Sequence, residues 1–197
     1  MEAARFLKFF EGRPQLADLL KRLDAPPGEK IHLPGLFGSA RSVFAANLYL
    51  AAAKNILVLL PDREEAAYFY DDLVSLGLEE NTLFFPSSFK RSVQFGQPEQ
   101  ENMVLRTEAL NRLLTSGSTC LVVTWPEGLA EKVAPPDVLQ TNTLRIAKGD
   151  KISIDFINEF LYEYGFERVD FVTEPGQFSV RGSIVDVFSF ASEDPFR

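Results

Sequence analysis

Cysteine occurs once in the 197 residues, at Cys120, so no disulfide can form within the chain. It stands in the apolar run Cys120-Leu121-Val122-Val123, where a thiol serves as a small buried hydrophobe. A reducing cytoplasm is the expected setting. Histidine also occurs once, at His32. One imidazole and one distant thiol make no metal site. No run approaches the ~18 apolar residues that a membrane span requires. The start, Met1-Glu2-Ala3-Ala4-Arg5, lacks the basic opening and apolar stretch of a signal peptide. Basic charge is scarce as well: 20 Lys and Arg against 28 Asp and Glu give a net charge of −8. That balance opposes nucleic-acid binding by the surface as a whole, because phosphate neutralisation drives such binding, but it leaves room for a local basic patch. The sequence shows no Ser/His/Asp set and no convincing pair of catalytic carboxylates.

What is present is ordinary globular material, 46% hydrophobic, with 18 phenylalanines to fill cores. The most informative stretch is Gly35-Leu36-Phe37-Gly38-Ser39-Ala40-Arg41-Ser42. It falls on the phosphate-loop spacing G-x-x-x-x-G-K-[ST], with Gly35 and Ser42 in place. Ala40 stands where the second glycine belongs, and Arg41 where the lysine belongs. A working loop needs that glycine for close approach of the backbone to phosphate, and the lysine to reach the β/γ-phosphates. Leu121–Thr124 ends in Thr-Trp and not in an acidic pair, so no Mg²⁺-binding strand motif is visible. Gly38, Ser39, Arg41 and Ser42 could still hold an anion at a helix N-terminus. The expectation is therefore a nucleotide-binding scaffold retained for binding, with its chemistry lost.

Around this loop the patterning alternates. Residues 4–23 read as a helix or helix pair broken near Gly12-Arg13-Pro14, and Pro26-Pro27-Gly28 is a further break. Lys30–Leu33 reads as a short strand before the loop, and Ser42–Ala53 as the helix after it. Ile56–Leu60 is a continuous apolar run, expected as a strand buried on both faces. Asp62 can cap a helix over Arg63–Leu76, with Gly77 as its stop. Leu83–Pro86 reads as a strand, Ser87–Gln100 as a loop, Asn102–Leu114 as a helix, and Leu121–Thr124 as a buried strand. Alternation of this kind predicts βαβ units on a parallel sheet.

After Pro135-Pro136 the character changes. Thr143–Ile146 reads as a strand, Lys148-Gly149-Asp150 as a turn, Ile154–Tyr164 as an apolar-striped helix, Val169–Val172 as a strand, Glu174-Pro175-Gly176 as a turn, and Phe178–Phe188 as strand. Strands after a helix suggest a small α+β unit. Because the chain stops soon after a strand, leaving an edge unpaired, that unit is expected to be truncated at its C-terminal end. Side-chain alternation puts Phe178 and Val180 on one face, and Gln177, Ser179 and Arg181 on the other. Asp186, between Val185 and Val187, is expected to face solvent.

The blocks Gly35–Ser42, Ile56–Asp62, Leu121–Trp125, Gly165-Phe-Glu-Arg-Val-Asp170, Pro175-Gly-Gln-Phe-Ser-Val-Arg-Gly182 and Ile184–Phe188 together resemble the amino-terminal, UvrB-like region of the bacterial transcription-repair coupling factors. The last blocks are the most specific. Against UvrB itself stand the degenerate loop and the short Pro86–Gln100 segment, which lacks the tyrosines of UvrB's DNA-clamping hairpin. The resemblance implies a degenerate RecA-like (P-loop NTPase type) α/β domain over residues 1–137, followed by a small α+β UvrA-docking domain over residues 138–197. It implies that Arg168, Arg181 and Phe178 contact UvrA. On sequence grounds alone Arg181 and Arg168 would be ordinary surface charges, the latter paired locally with Glu167 or Asp170, and Phe178 would be core. The resemblance further implies no catalysis and no cofactor in this region. ATP and Mg²⁺ would serve a downstream motor that acts on double-stranded DNA and displaces stalled RNA polymerase. A carboxy-terminal domain would mask the docking surface. Two other readings remain open: a UvrB-like or helicase-type ATPase whose loop tolerates Ala40 and Arg41, and a direct DNA-binding module.

Overall fold

The computed structural model describes residues 3–23, 30–89, 100–115, 117–136, 144, 146–190, 192 and 194–197. The break at Pro26–Gly28 and most of the Ser87–Gln100 loop lie outside the described residues, as do Thr143 and Arg145 of the strand expected at 143–146. The chain divides into two compact units, each built from two stretches: residues 1–86 with 116–130, and residues 87–115 with 131–197.

In the first unit, α1 (Ala3–Lys8) and α2 (Pro14–Leu23) are separate helices. Gly12 takes φ +71° between them, and Pro14 begins α2, a position where its missing N–H costs nothing. Both helices pack on α3 (Ala40–Ala52). β1 (Ile56–Leu59) follows, then α4 (Arg63–Ser75). Asp62 caps α4 by accepting the Glu65 N–H at 2.9 Å. Gly77 ends it at φ +85°, the left-handed conformation glycine supplies without a Cβ clash. A 3₁₀ turn (Glu79–Asn81) leads into β2 (Thr82–Phe84). After residue 115 come β3 (Leu121–Thr124) and α6 (Pro126–Ala130).

The three strands form one sheet in the order β1-β3-β2, and both pairings are parallel. The expected parallel α/β sheet is present. β3 is central and buried at all four positions, and Leu121, Val123 and Trp125 pack with Tyr49, Phe69 and Leu73 in the core. β1 departs from expectation. Ile56 and Val58 pack against the core, but Leu57 and Leu59 are each about half exposed, at 55% and 52%. β1 lies at the sheet's edge among the described strands, so an apolar run that in β3 marks burial on both faces here leaves one face uncovered. The strand expected at Lys30–Leu33 is also absent: these residues have no regular structure, and His32 and Leu33 are exposed. Pro34 supplies no ladder donor there.

The second unit contains α5 (Gln100–Thr115), α7 (Ile154–Glu163), β4 (Glu167–Arg168), β5 (Gln177–Arg181) and β6 (Ile184–Val187). Ser153 caps α7 through the Phe156 N–H at 3.1 Å. The Lys148–Asp150 turn is closed by Ala147 N–H to Asp150 Oδ2 at 2.7 Å. The sheet order is β4-β5-β6, parallel then antiparallel. The strand expected at Val169–Val172 lies earlier, at Glu167–Arg168, because Gly165 (φ +76°) stops the helix and the Glu167 N–H reaches the Gly176 carbonyl at 2.8 Å. Gly182 and Ser183 turn β5 into β6. Gly176 (φ +86°) carries a second constraint: a Cβ there would meet the Phe190 ring at 2.4 Å.

Candidate functional site

The degenerate loop sits ahead of α3 with Gly35 at φ +85° and Gly38 at φ +53°. Several of its polar groups are engaged within the protein, while Arg41 Nε is buried with no hydrogen-bond partner among the described residues. Arg41 donates from Nη1 and Nη2 to the same oxygen of Glu65, each at 3.0 Å. Ser42, only 1% exposed, donates to Asp72 Oδ2 at 2.7 Å. Both carboxylates come from α4. The Ala40 and Arg41 N–H groups close turns onto Phe37 O and Gly38 O, at 3.1 and 3.2 Å. One arginine against two carboxylates leaves a formal local charge of −1, the wrong sign for a phosphate. Arg41 Nη1 and Nη2 and the Ser42 hydroxyl thus face α4, and the Ala40 and Arg41 N–H groups face the loop itself.

The second candidate is the β4-β5-β6 sheet. Register pairs Phe178 with Val187 and Val180 with Val185, and Ser179 with Asp186 and Arg181 with Ile184. One face therefore carries Phe178, Val180, Val185 and Val187. Tyr162 of α7 packs edge-on to Phe178 there, with ring centroids 5.3 Å apart. Phe178 is wholly buried, so it supports the sheet and offers no surface, contrary to its expected place in a docking surface. Arg168 pairs in register with Phe178 and so belongs to that same face, at the edge strand. It is exposed, and neither Glu167 nor Asp170 pairs with it.

The opposite face carries Ser179, Arg181, Ile184 and Asp186. Ser179 hydrogen-bonds Asp170 O at 3.1 Å, which holds the 169–172 segment across this face. Arg181 is partly exposed and lies over the Phe171 ring, 5.6 Å from its centroid. Its Nη2 donates to Asp186 Oδ2 in a short ion pair. Arg197 reaches the same carboxylate, Nε to Oδ1 at 2.7 Å and Nη2 to Oδ2 at 3.2 Å. Hydrogen bonds from Arg197, and secondarily from Arg181, hold the Asp186 carboxyl below its usual pKa despite its burial. Asp186 is buried, at 8% exposure, and does not face solvent as expected. Sequence reading missed Phe171 and Arg197 altogether. A two-residue turn at Gly182-Ser183 was the available signal for Asp186, because it sets Asp186 diagonal to Arg181 across the hairpin.

A third cluster ties residues 87–88, α5 and residue 131. Glu131 accepts from Ser88 N at 2.8 Å, Ser88 Oγ at 2.6 Å and Ser87 Oγ at 3.2 Å, and pairs with Arg106 Nε at 3.5 Å. Burial pushes Glu131 up, but the Ser88 hydrogen bonds and the Arg106 charge outweigh it and the carboxyl sits low. Asn102, one turn before Arg106, donates to Ser87 O at 2.9 Å. These bonds fasten residues 87–88, α5 and residue 131 to one another. Among the described residues, no three His, Cys, Asp or Glu side chains are grouped to hold a metal ion, and no helix is long and apolar enough to cross a membrane.

The domain carrying the β4-β5-β6 sheet matches a known family: residues 144–197 fit the UvrB interaction domain. Over a longer span the chain is 34% identical to the transcription-repair-coupling factor of Bacillus subtilis, across 165 residues covering 84% of this chain. The chain belongs with the transcription-repair-coupling factors. The Escherichia coli factor is 26% identical over 175 residues, 89% of this chain, and the Haemophilus influenzae factor 31% identical over 141 residues, 72% of it. These matches span 14%, 15% and 12% of the relatives' own lengths. The pattern is consistent with an amino-terminal region of such a factor.

Proposed function

We propose that this chain is a recruitment module: its β4-β5-β6 domain docks UvrA, and no chemistry takes place on it. The observation that carries the reading is the exposure of Arg168 and Arg181 on the UvrB-interaction-type domain. Arginine suits such a task because its rigid fork of donors matches a carboxylate across an interface. Arg168 and Arg181 lie on opposite faces of a narrow sheet, so a partner that meets both must wrap the β4 edge. Phe178 acts from beneath, as packing.

In this reading the first unit is a RecA-like scaffold whose loop is committed to α4. Nucleotide hydrolysis belongs to the parent protein, whose downstream motor would use ATP and Mg²⁺ to translocate on double-stranded DNA and displace stalled RNA polymerase in the cytoplasm. Masking of the docking face by a carboxy-terminal domain would make recruitment a competition. Only a partner's differential affinity for the unmasked form shifts that balance. The ATPase alternative is disfavoured by the engagement of Arg41 and Ser42.

The test is binding of purified UvrA to the 197-residue chain by calorimetry, beside Arg181→Glu and Arg168→Glu. Binding by the wild type, weakened by each charge reversal in a folded protein, supports docking at this sheet. Wild-type binding untouched by either reversal moves the surface elsewhere, and absence of binding by the folded wild type removes the proposal.

A further inference from the structure

The Arg181–Asp186–Arg197 triad has a feature that docking by an exposed arginine does not require. Asp186 is nearly buried, yet it draws two guanidiniums from different segments to one carboxylate. The side chains of Arg181 and Arg197 remain 45% and 68% exposed. Among the described residues, Arg181 spends only Nη2 on a protein partner, so its Nε and Nη1 remain available. Phe171, 74% exposed, lies against the same guanidinium, and Ile184, 45% exposed, is Arg181's cross-strand neighbour. Two arginines and one aspartate sum to +1, on a chain whose net charge is −8.

We propose that Asp186 is a positioning residue that preorganises this face for an acidic partner segment bearing an apolar side chain. The inference rests on the docking reading above and adds to it the residue that sets the geometry and the chemistry of what is bound. Asp186 fixes Arg181 over Phe171 and draws Arg197 alongside, so a partner carboxylate meets two aligned guanidiniums whose side-chain entropy is already spent. Phe171 and Ile184 offer apolar contact beside them. The opposite role, in which Asp186 competes for Arg181 and must release it, fits the burial less well. Arg181 swinging away would strip a buried carboxylate of one of its two partners, a costly state. Binding through the unused Nε and Nη1 leaves the ion pair intact.

The experiment uses the 197-residue chain with Asp186→Asn, Asp186→Glu and Arg197→Gln, and has two arms. In the first, ¹⁵N relaxation of the Arg181 Nε–Hε group is measured without any partner. It is expected to be ordered in the wild type and to become mobile in Asp186→Asn; equal mobility in both overturns the positioning role whatever UvrA does. In the second, UvrA affinity is expected to fall roughly tenfold or more in Asp186→Asn through lost preorganisation. Asp186→Glu should recover part of it, and Arg197→Gln, which need not disturb the core, should weaken binding less. Tighter binding by Asp186→Asn overturns the proposal in favour of the competing-carboxylate role. If the wild type fails to bind UvrA while Arg181 is ordered by Asp186, the docking reading fails and the positioning geometry stands.

Discussion

Arg41 places both terminal nitrogens 3.0 Å from a single oxygen of Glu65, 24 residues further along the chain. The residue standing where a phosphate loop has its lysine is thereby turned toward α4. Restoring the motif by the double substitution Ala40→Gly, Arg41→Lys should therefore not create nucleotide binding. Ser42 would still be bonded to Asp72, and residues 30–33 ahead of the loop form no strand. The expected result is no Mg·ATP-dependent rise in melting temperature at millimolar nucleotide. A clear rise would show the scaffold to be competent.

Ser42 should act on stability alone. Ser42→Ala removes a buried hydroxyl that donates to Asp72 at 2.7 Å, and a lost hydrogen bond to a charged group costs about 1.5–3 kcal/mol. The exposed Arg41–Glu65 pair should matter less. Its side chains are 40% and 42% exposed, and such pairs contribute about 0–1 kcal/mol. Urea unfolding of Ser42→Ala and Glu65→Gln side by side checks the order; a larger loss in Glu65→Gln would contradict it.

Glu131 contributes to the pH dependence of the second unit. Its folded carboxyl lies below the ordinary value, so its contribution is complete above the unfolded pKa and is lost as pH falls through the folded one. Glu131→Ala removes the carboxylate that pairs with Arg106 Nε, on a side chain only 6% exposed. The expected cost at neutral pH is about 3 kcal/mol. Stability measured from neutral to strongly acidic pH should show the wild type approaching the variant as acid removes the difference.

Gly128 is buried on α6, and helix propensity by itself favours alanine there by about 1 kcal/mol. Space decides otherwise. A Cβ would stand 2.6 Å from Thr124 Oγ1 and 2.8 Å from the Phe85 carbonyl, atoms already joined by a 2.7 Å hydrogen bond. Overpacking of this kind costs about 1–3 kcal/mol, so Gly128→Ala should lower the melting temperature. A neutral or stabilising result would mean that α6 can shift.

Phe178→Ala should remove about 3–5 kcal/mol of stability through a cavity between β5 and α7. Any loss of UvrA binding should then track unfolding. A well-folded Phe178→Ala that has lost binding would return this residue to the surface.

Much of the local structure is legible in the residues. Asp62 as a cap, Gly77 and Gly165 as stops, Pro14 at a helix start, and the Leu121–Thr124 strand all follow from one residue and its near neighbours. The same holds for the facing of Phe178 and Val180. Hydrogen bonds three or four residues apart and a fixed side-chain period need no knowledge of the rest of the fold. The resemblance to the coupling factors is equally a property of the string.

Tertiary structure decided the rest. Whether an apolar run is sheathed on both faces, as β3 is, or on one, as β1 is, depends on what lies beside it in space. Arg41 meets Glu65 and Ser42 meets Asp72 across 24 and 30 residues, and Arg197 reaches Asp186 only because the chain returns beside β6. The resemblance to the coupling factors named Arg181 a candidate contact. What holds it in place was set by a hairpin register and a returning segment, since ion pairs between distant residues depend on where the backbone brings them and leave no period in the sequence.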